Sequence, residues 1–551
     1  MQINRRGALG LIGAGAAAPA MGVAGAEPAR ASFRHGVASG DPTAKGAILW
    51  TRVTPADPAH SAAIRVTWHV AETAGGKPVE SGIAQAQIAR DFTVKVEPTK
   101  LQGGRDYYYH FEVAGVRSPE GRFRTLPVGK TDELHFAVVS CQHYSGGLFN
   151  VWEMISRRNR LDAVIHLGDY IYEYGRDGYG GDIGVKLNRL VEPPHETVTL
   201  ADYRARHAQY RSDPDLQAAH ARAAFICVWD DHETANDSWL EGAENHQPQT
   251  EGGWAARKAA AMQAYFEWLP IRDPKPGDPW EAINRSFEFG DLATLAMLET
   301  RLLARSEPAG SKGPPTDAAS MAAILSERDR PDRELMGAPQ KKWLREVLEG
   351  SVTAGKPWQI IGNQIVMARV PGPDVEKMMG AEKSAALMAG LTPDTRQMIG
   401  AAQAGYRAGL PFNMDSWDGY PAARERLYAD FRSVSCRPVI LSGDSHAFWA
   451  NNLADAHGQP VAVEFGTTAI SSPSIGDMLD GIPLGQLLEA GAPEVQFCDQ
   501  KSKGCIFLTL TPTIASADYV AVSTIFTKEW TETPVANFRV KPRSPRLEHL
   551  G

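Results

Sequence analysis

The sequence contains no Cys-x-x-Cys pair and no haem or flavin fingerprint, which argues against a thiol-redox protein or a cofactor-based electron carrier. It also lacks any run of basic residues. With Lys plus Arg at 57 against Asp plus Glu at 65, the formal charge is -8, and a broad nucleic-acid-binding face is excluded. Affinity for a phosphate-bearing molecule then has to come from a local site, such as bound cations. Internal repeats and long low-complexity segments are missing too. Beyond the N-terminus no second long apolar run occurs, so no transmembrane anchor is expected once the first is removed. Cysteine is scarce: Cys141, Cys227, Cys436, Cys498 and Cys505 make an odd set, which leaves at least one outside any disulfide. Cys498 and Cys505 are the expected pair, because the short polar stretch between them could close.

What is present begins with an export signal. Asn4-Arg5-Arg6-Gly7 precedes the Gly- and Ala-rich apolar run to Val23, and Ala24-Gly25-Ala26 supplies a small-x-small cleavage signature. Residues 1–26 therefore read as a Tat signal peptide, cleaved from a periplasmic or secreted protein, with the Tat export machinery as a partner. The glycines at 13 and 15 mimic a dinucleotide fingerprint, but no strand precedes them and no βαβ unit follows.

At 551 residues the chain is too long for one ordinary core. Residues 33–127 alternate in short β runs separated by Gly, Pro and Asp turns, the texture of a small β-sandwich. From residue 134 the texture changes to continuous apolar strands, each ending in polar or glycine residues, alternating with helical segments, and residues 134–531 read as an α/β catalytic domain. Residues 302–338 and 366–415 read as surface excursions near the site, and the tail 532–551 as a segment that could fold over it.

The informative feature is that ligand-type residues fall just after these strands, where open α/β sheets gather their sites. They are Cys141 with His143, Asp169 with Tyr172, the run Asp230-Asp231-His232-Glu233, Glu299 with Arg301, Asn363 with Gln364, and Asp444 with His446. A carboxylate such as Asp169 can bridge two cations, Tyr172 can offer a phenolate, and a phenolate beside a thiolate favours iron. Asp444 and His446, two apart in an extended turn, point the same way. Of the adjacent pair, Asp231 is the expected ligand and Asp230 the turn residue.

The ordered series Cys141, Gly168-Asp169-Tyr170-Ile171-Tyr172, Trp229-Asp230-Asp231-His232-Glu233, Trp417-Asp418-Gly419-Tyr420 and Gly443-Asp444-Ser445-His446 resembles PhoD-like phosphatases and phosphodiesterases, distant relatives of purple acid phosphatases. The resemblance covers nearly all of the chain after the signal. It implies a fibronectin- or immunoglobulin-like sandwich followed by a four-layer αββα metallophosphoesterase domain. It also implies Fe(3+) held by Cys141, Asp169, Tyr172 and His446 beside one or two Ca(2+), with Asp231 and Asp444 as further ligands and Asn363 or Gln364 as a weaker candidate. Where purple acid phosphatases have Asn and His, this chain has Asp231 and Asp444, and oxygen ligands suit calcium. His143, His232 and Arg301 are expected to support the metals or bind phosphate.

The expected function is hydrolysis of phosphate monoesters or diesters by an activated water, acting on small phosphate esters or phospholipid head groups. The rival readings are a phospholipase D-like phosphodiesterase, a Tat-exported iron redox protein, and a sandwich-mediated binding protein with a dead enzyme domain.

Overall fold

The computed structural model describes residues 31–550, apart from 312, 314, 316, 392 and 480. Residues 1–26, read above as an export signal, lie outside the described residues.

Continuous apolar strands such as Leu134–Val139 and Ala163–His166 need both faces covered, and they lie at the centre of two large sheets. In the ten-stranded sheet, Leu134–Val139, Ala163–His166, Phe225–Cys227 and Val37–Thr43 run parallel. Antiparallel strands Lys503–Leu510, Ala515–Val522 and Glu532–Val540 extend one side. The seven-stranded sheet has Ala293–Met297, Trp358–Gly362, Val439–Ser442 and Pro460–Gly466 in parallel. The inner faces of the two sheets share one core, in which Phe136 meets Phe289 edge-on at 5.1 Å. Leu344, Leu348, Leu427 and Phe431 of helices Gly337–Thr353 and Pro421–Ser433 cover the outside of the second sheet. Helices Asn150–Ser156 and Pro214–Arg222 cover the first, completing the αββα stack. The two sheets touch at the ends of their parallel strands, where Ser140 bridges to Ala469.

Within residues 33–127, the strands Ile64–Ala71, Pro78–Ala86, Asp106–Val113 and Gly121–Arg124 form a separate sheet. It packs on Val37, Leu49 and Val94 through Val66, Tyr109 and Phe123. One layer of this sandwich is therefore the end of the ten-stranded catalytic sheet, with Gly40 paired directly to Phe225.

Two expectations are corrected. The C-terminal residues do not cover a site: Glu532–Val540 is a strand pairing with Ala515–Val522, because Ala536, Phe538 and Val540 alternate into the core. Cys498 and Cys505 are unpaired, since they sit in strands of different sheets. Among the described residues, no helix is long and apolar enough to cross a membrane.

Phe538 is 1 % exposed and packs against Tyr519 at 5.5 Å. Phe538→Ala is expected to cost about 3–5 kcal/mol in urea unfolding with KM unchanged; a raised or lowered KM at unchanged stability would restore the lid reading of the tail.

Candidate metal centre

The loops carrying Cys141, Asp169, Asp231 and Asp444 each begin at the end of a parallel strand and turn sharply. Cys141, Asp169, Asp444 and His446 all have left-handed backbones, with φ of 60°, 58°, 65° and 55°. Each such residue costs about 1–3 kcal/mol unless its surroundings enforce it, and such strain concentrates where side chains must be aimed. Two glycines make the turns possible. Gly168 has φ of 117°, and a Cβ there would stand 2.5 Å from the Asp230 nitrogen. At Gly443 a Cβ would meet Ser140 Oγ at 2.6 Å, where the loops of the two sheets press together. Glu233 fixes the first sheet's loops from behind, accepting hydrogen bonds from the backbone N–H groups of Asp169 (3.0 Å), Tyr170 (2.7 Å) and Asp230 (2.8 Å).

The side chains converge in overlapping groups. Ligand atoms of Cys141, Asp169 and His446 lie within 4.8 Å of one another, as do those of Asp169, Asp231 and His232, of Asp230, Asp231 and Asp444, and of Asp231, Asp237 and Asp415. Asp169 and Asp231 thus belong to adjoining groups, the arrangement a bridged pair of cations requires. Tyr172 joins the first group. Its Oη is 2.9 Å from Asp169 Oδ2 and 3.0 Å from His446 Nε2. His446 Nδ1 is held by the Pro473 carbonyl at 2.5 Å, so Nε2 carries the lone pair. One phenolic hydrogen cannot serve two acceptors, and Asp169 Oδ1 is buried with no partner at all. Ligands about 2.1 Å from one cation stand roughly 3 Å apart across a right angle, so these separations fit a shared ion. The thiol, phenol, imidazole and carboxylate donors fit iron, and the oxygen-rich groups around Asp231 fit calcium.

The electrostatics show the same deficit of positive charge. Burial and neighbouring carboxylates hold Asp169 and Asp444 well above the usual carboxylate range, and burial with Asp169 raises the Cys141 thiol. Burial pushes the His446 imidazole down to about 3, which keeps it in the neutral form a cation binds. Asp231 is the exception: burial opposes its ionisation, but Arg301 and His232 draw it well below the usual range. Arg301 is fully buried and all three of its nitrogens face carboxylates. Nε meets Asp230, NH1 meets Asp415 at 2.5 Å, and NH2 meets Asp444 at 3.3 Å and Asp231 at 3.7 Å.

Of the residues singled out in the sequence, Cys141, Asp169, Tyr172, Asp231, Asp444 and His446 come together. Asn363 does not: its Oδ1 accepts from Trp417 Nε1 at 3.0 Å and its amide donates to the Ile365 carbonyl, so the side chain braces the Trp417 turn. Gln364 is similarly engaged with Thr300 and Leu298. Arg301 clamps carboxylates and does not line the cleft. His143 is buried behind Tyr172, its ring 4.6 Å away and its Nε2 on the Tyr179 carbonyl at 2.6 Å. His232 does line the cleft; Glu173 holds its Nδ1 at 2.7 Å, its ring lies 4.1 Å from Tyr172, and Asp231, Glu173 and Asp169 keep it charged against the effect of burial. The sequence reading missed Asp237, Asp415, Glu173, Tyr179 and Ser472, and gave Glu233, named in the run with Asp231, no role of its own. Asp415 stands two residues before Trp417 in the region read as an excursion near the site, which was the one available signal. The cleft, of about 350 Å³, is closed by residues 413–415 and by Pro473, Ser474, Ile475 and Met478.

With this geometry in hand, the chain matches the family model described as PhoD-like phosphatase over residues 136–519 and that of the PhoD-like phosphatase N-terminal domain over residues 16–127. It is 35 % identical over 503 residues to alkaline phosphatase D of Bacillus subtilis (strain 168), covering 88 % of this chain and 77 % of that protein. A solved structure of PhoD superposes with a TM-score of 0.77 at 30 % identity, covering 97 % of this chain and 94 % of the other. A purple acid phosphatase from yellow lupin (Lupinus luteus) seeds shares the fold, with a TM-score of 0.53 at 11 % identity over 92 % of this chain and 73 % of that one.

Removing Arg301 would strand Asp230 in the interior and leave Asp415 with Arg305 alone. Arg301→Met is expected to destabilise by about 3–5 kcal/mol, with Arg301→Lys recovering only part because an ammonium cannot span four carboxylates. Thermal unfolding of the metal-free protein measures this, and an unchanged midpoint would remove Arg301 from its structural role.

Proposed function

This chain belongs to the PhoD-like phosphatase family and is a phosphoester hydrolase, and from that premise we propose that it is exported and metal-dependent, with Fe(3+) held by Cys141, Asp169, Tyr172 and His446 and Ca(2+) held by Asp169, Asp231 and Asp444. The observation that carries the proposal is the contested Tyr172 hydroxyl between Asp169 and His446, beside the unpartnered Asp169 Oδ1. Asp237 and Asp415 extend the oxygen-rich side and are proposed as further calcium ligands, replacing Asn363. The twin arginines Arg5 and Arg6 support export through the Tat machinery to the periplasm or medium.

Bound there, the cations would polarise the phosphoryl group and make water acidic enough to serve as nucleophile at neutral pH. The protein's own contribution is positioning and charge. Asp169 and Asp444 approach from different sheets, so the reacting phosphorus would sit where the sheets meet, in the cleft lined by Asp231, His232 and His446. His232, with its Nδ1 on Glu173, lines the cleft and is proposed to donate to a phosphoryl oxygen or to the departing alkoxide. Cys141 lies buried behind the cleft and has no access to the phosphorus, so it serves as a ligand. His143 and Arg301 act indirectly, His143 by orienting Tyr172 and Arg301 by holding the carboxylates apart.

A preference for diesters is favoured by one observation. Ile475 and Met478 line the cleft yet are 44 % and 53 % exposed, an apolar rim that a phosphate with a second organic substituent, such as a phospholipid head group on its lipid, could use.

Metal analysis of the protein exported with its own signal is expected to find iron and calcium, and calcium chelation is expected to abolish hydrolysis reversibly. Iron without hydrolysis would favour the redox reading, and absence of metal would remove the assigned roles of Cys141, Tyr172 and His446. In the same assay, Ile475→Ser with Met478→Ser is expected to lower kcat/KM about thirtyfold for a diester carrying hydrocarbon groups and little for a simple monoester, since each of the two lost apolar contacts is worth about 1 kcal/mol. An equal loss on both substrates would end the diester argument.

A further inference from the structure

The outer face of the N-terminal sheet carries a group of ligand-type side chains unconnected with the centre just described. Strands Ile64–Ala71 and Asp106–Val113 pair antiparallel with His69 directly opposite His110, and Thr67 opposite Glu112. Because side chains alternate along a strand, these residues point away from the core formed by Val66, Val70, Tyr109, Phe111 and Val113. The two imidazole rings lie 4.9 Å apart and are tilted by 24°, and one ligand atom from each of His69, His110 and Glu112 falls within 4.8 Å of the others.

Stacking of two rings would explain the histidine pair but not the carboxylate that joins it. A second observation concerns His69. Its Nδ1 is shielded from solvent and has no hydrogen-bond partner within the protein, which leaves it available to a ligand. Arg117, directly opposite Glu112 on the next strand, pairs with Glu120 at 3.1 Å.

We propose that His69, His110 and Glu112 form a second metal site, for one borderline divalent transition cation of the zinc class, on the outer face of the N-terminal sheet. Two imidazoles and one carboxylate are a donor set such ions favour over calcium or magnesium, and the open side of the sheet leaves room for water to complete the shell. A bound ion would cross-link two neighbouring strands, fixing the sheet that forms the outer layer of the sandwich. The site is far simpler than the catalytic centre and independent of it.

The test uses the untagged full-length protein with its resident metals in place. Zinc chloride is titrated in, excess is dialysed away, retained zinc is counted, and its ligands are read by zinc-edge X-ray absorption. The wild-type chain is expected to retain one zinc more than the His69→Gln, His110→Gln double variant, with imidazole and oxygen ligands in its spectrum and hydrolysis the same in both. Glu112→Gln, which leaves both rings and the sheet intact, is expected to weaken zinc about tenfold and serves if the double variant fails to fold. Equal zinc retention by the wild type and either variant would overturn the proposal.

Discussion

A group of carboxylates held together in the dry seam between two sheets is the constraint that organises the molecule. Asp230 and Asp231 arrive on the ten-stranded sheet, Asp415 and Asp444 on loops of the seven-stranded one, and Arg301 is the fixed cation they share. Two unit charges 4 Å apart at an effective dielectric of 20 interact by about 4 kcal/mol, so each uncompensated pair opposes closure of the seam by a sizeable fraction of a domain's stability. Arg301 and Arg305 answer part of that repulsion. The remainder is visible in Asp169 and Asp444, which burial and their neighbours hold toward the neutral form. Cations placed among these groups would lower the repulsion and tie the sheets to each other, which makes metal binding part of the folding energetics as well as of the chemistry.

Strain at the ligands is the second consequence. Left-handed backbone at Cys141, Asp169, Asp444 and His446 persists only because the surroundings over-determine it. Glu233 gathers three backbone N–H groups under the Asp169 turn, and Ser472 Oγ lies 2.8 Å from both the Cys141 carbonyl and Tyr172 Oη, its one hydrogen shared between them. Gln142 links Trp152 to the Tyr170 carbonyl behind the same loop. These bonds lie in the interior and set the aim of the side chains they hold.

How much of this the sequence disclosed follows from how local each signal is. The parallel strands were legible because burial on both faces makes them continuously apolar: residues 134–140 contain the strand Leu134–Val139, and residues 163–167 contain Ala163–His166. Apolar residues recur at helical spacing through residues 203–219, yet two helices form there, because Asp213 caps a new start and Pro214 occupies its first turn. That pairing of Asp with Pro was readable and was overlooked. Cys141, Asp169, Tyr172, Asp231, Asp444 and His446 were legible as strand-end residues in a fixed order. Asp237 and Asp415 were not, since each lies in an irregular loop: Asp415 is held by Arg301 and Arg305 more than a hundred positions away, and Asp237 is placed by its backbone N–H on Asp231. The tail misled because an amphipathic strand at a sheet edge and a flexible lid look alike until a pairing partner is known.

The N-terminal residues were legible as a sandwich but not as part of the catalytic sheet, and the difference matters for how the two regions communicate. Asp41 receives Arg285 Nη2 at 2.7 Å while the same nitrogen donates to the Cys227 carbonyl at 2.7 Å, so one guanidinium binds the N-terminal hairpin to the strand that delivers Asp231. Trp50 Nε1 donates to the Glu267 carbonyl at 2.8 Å, and Arg211 lies over the Trp50 ring at 4.5 Å. A module joined by a flexible linker would share none of these contacts. Here the strand carrying Gly40 completes the hydrogen bonding of Phe225, so loss of the N-terminal sheet would leave an unpaired edge beside the strand that ends in the metal centre. The sandwich is thus a structural wall of the active domain, and the geometry of Asp231 depends on it.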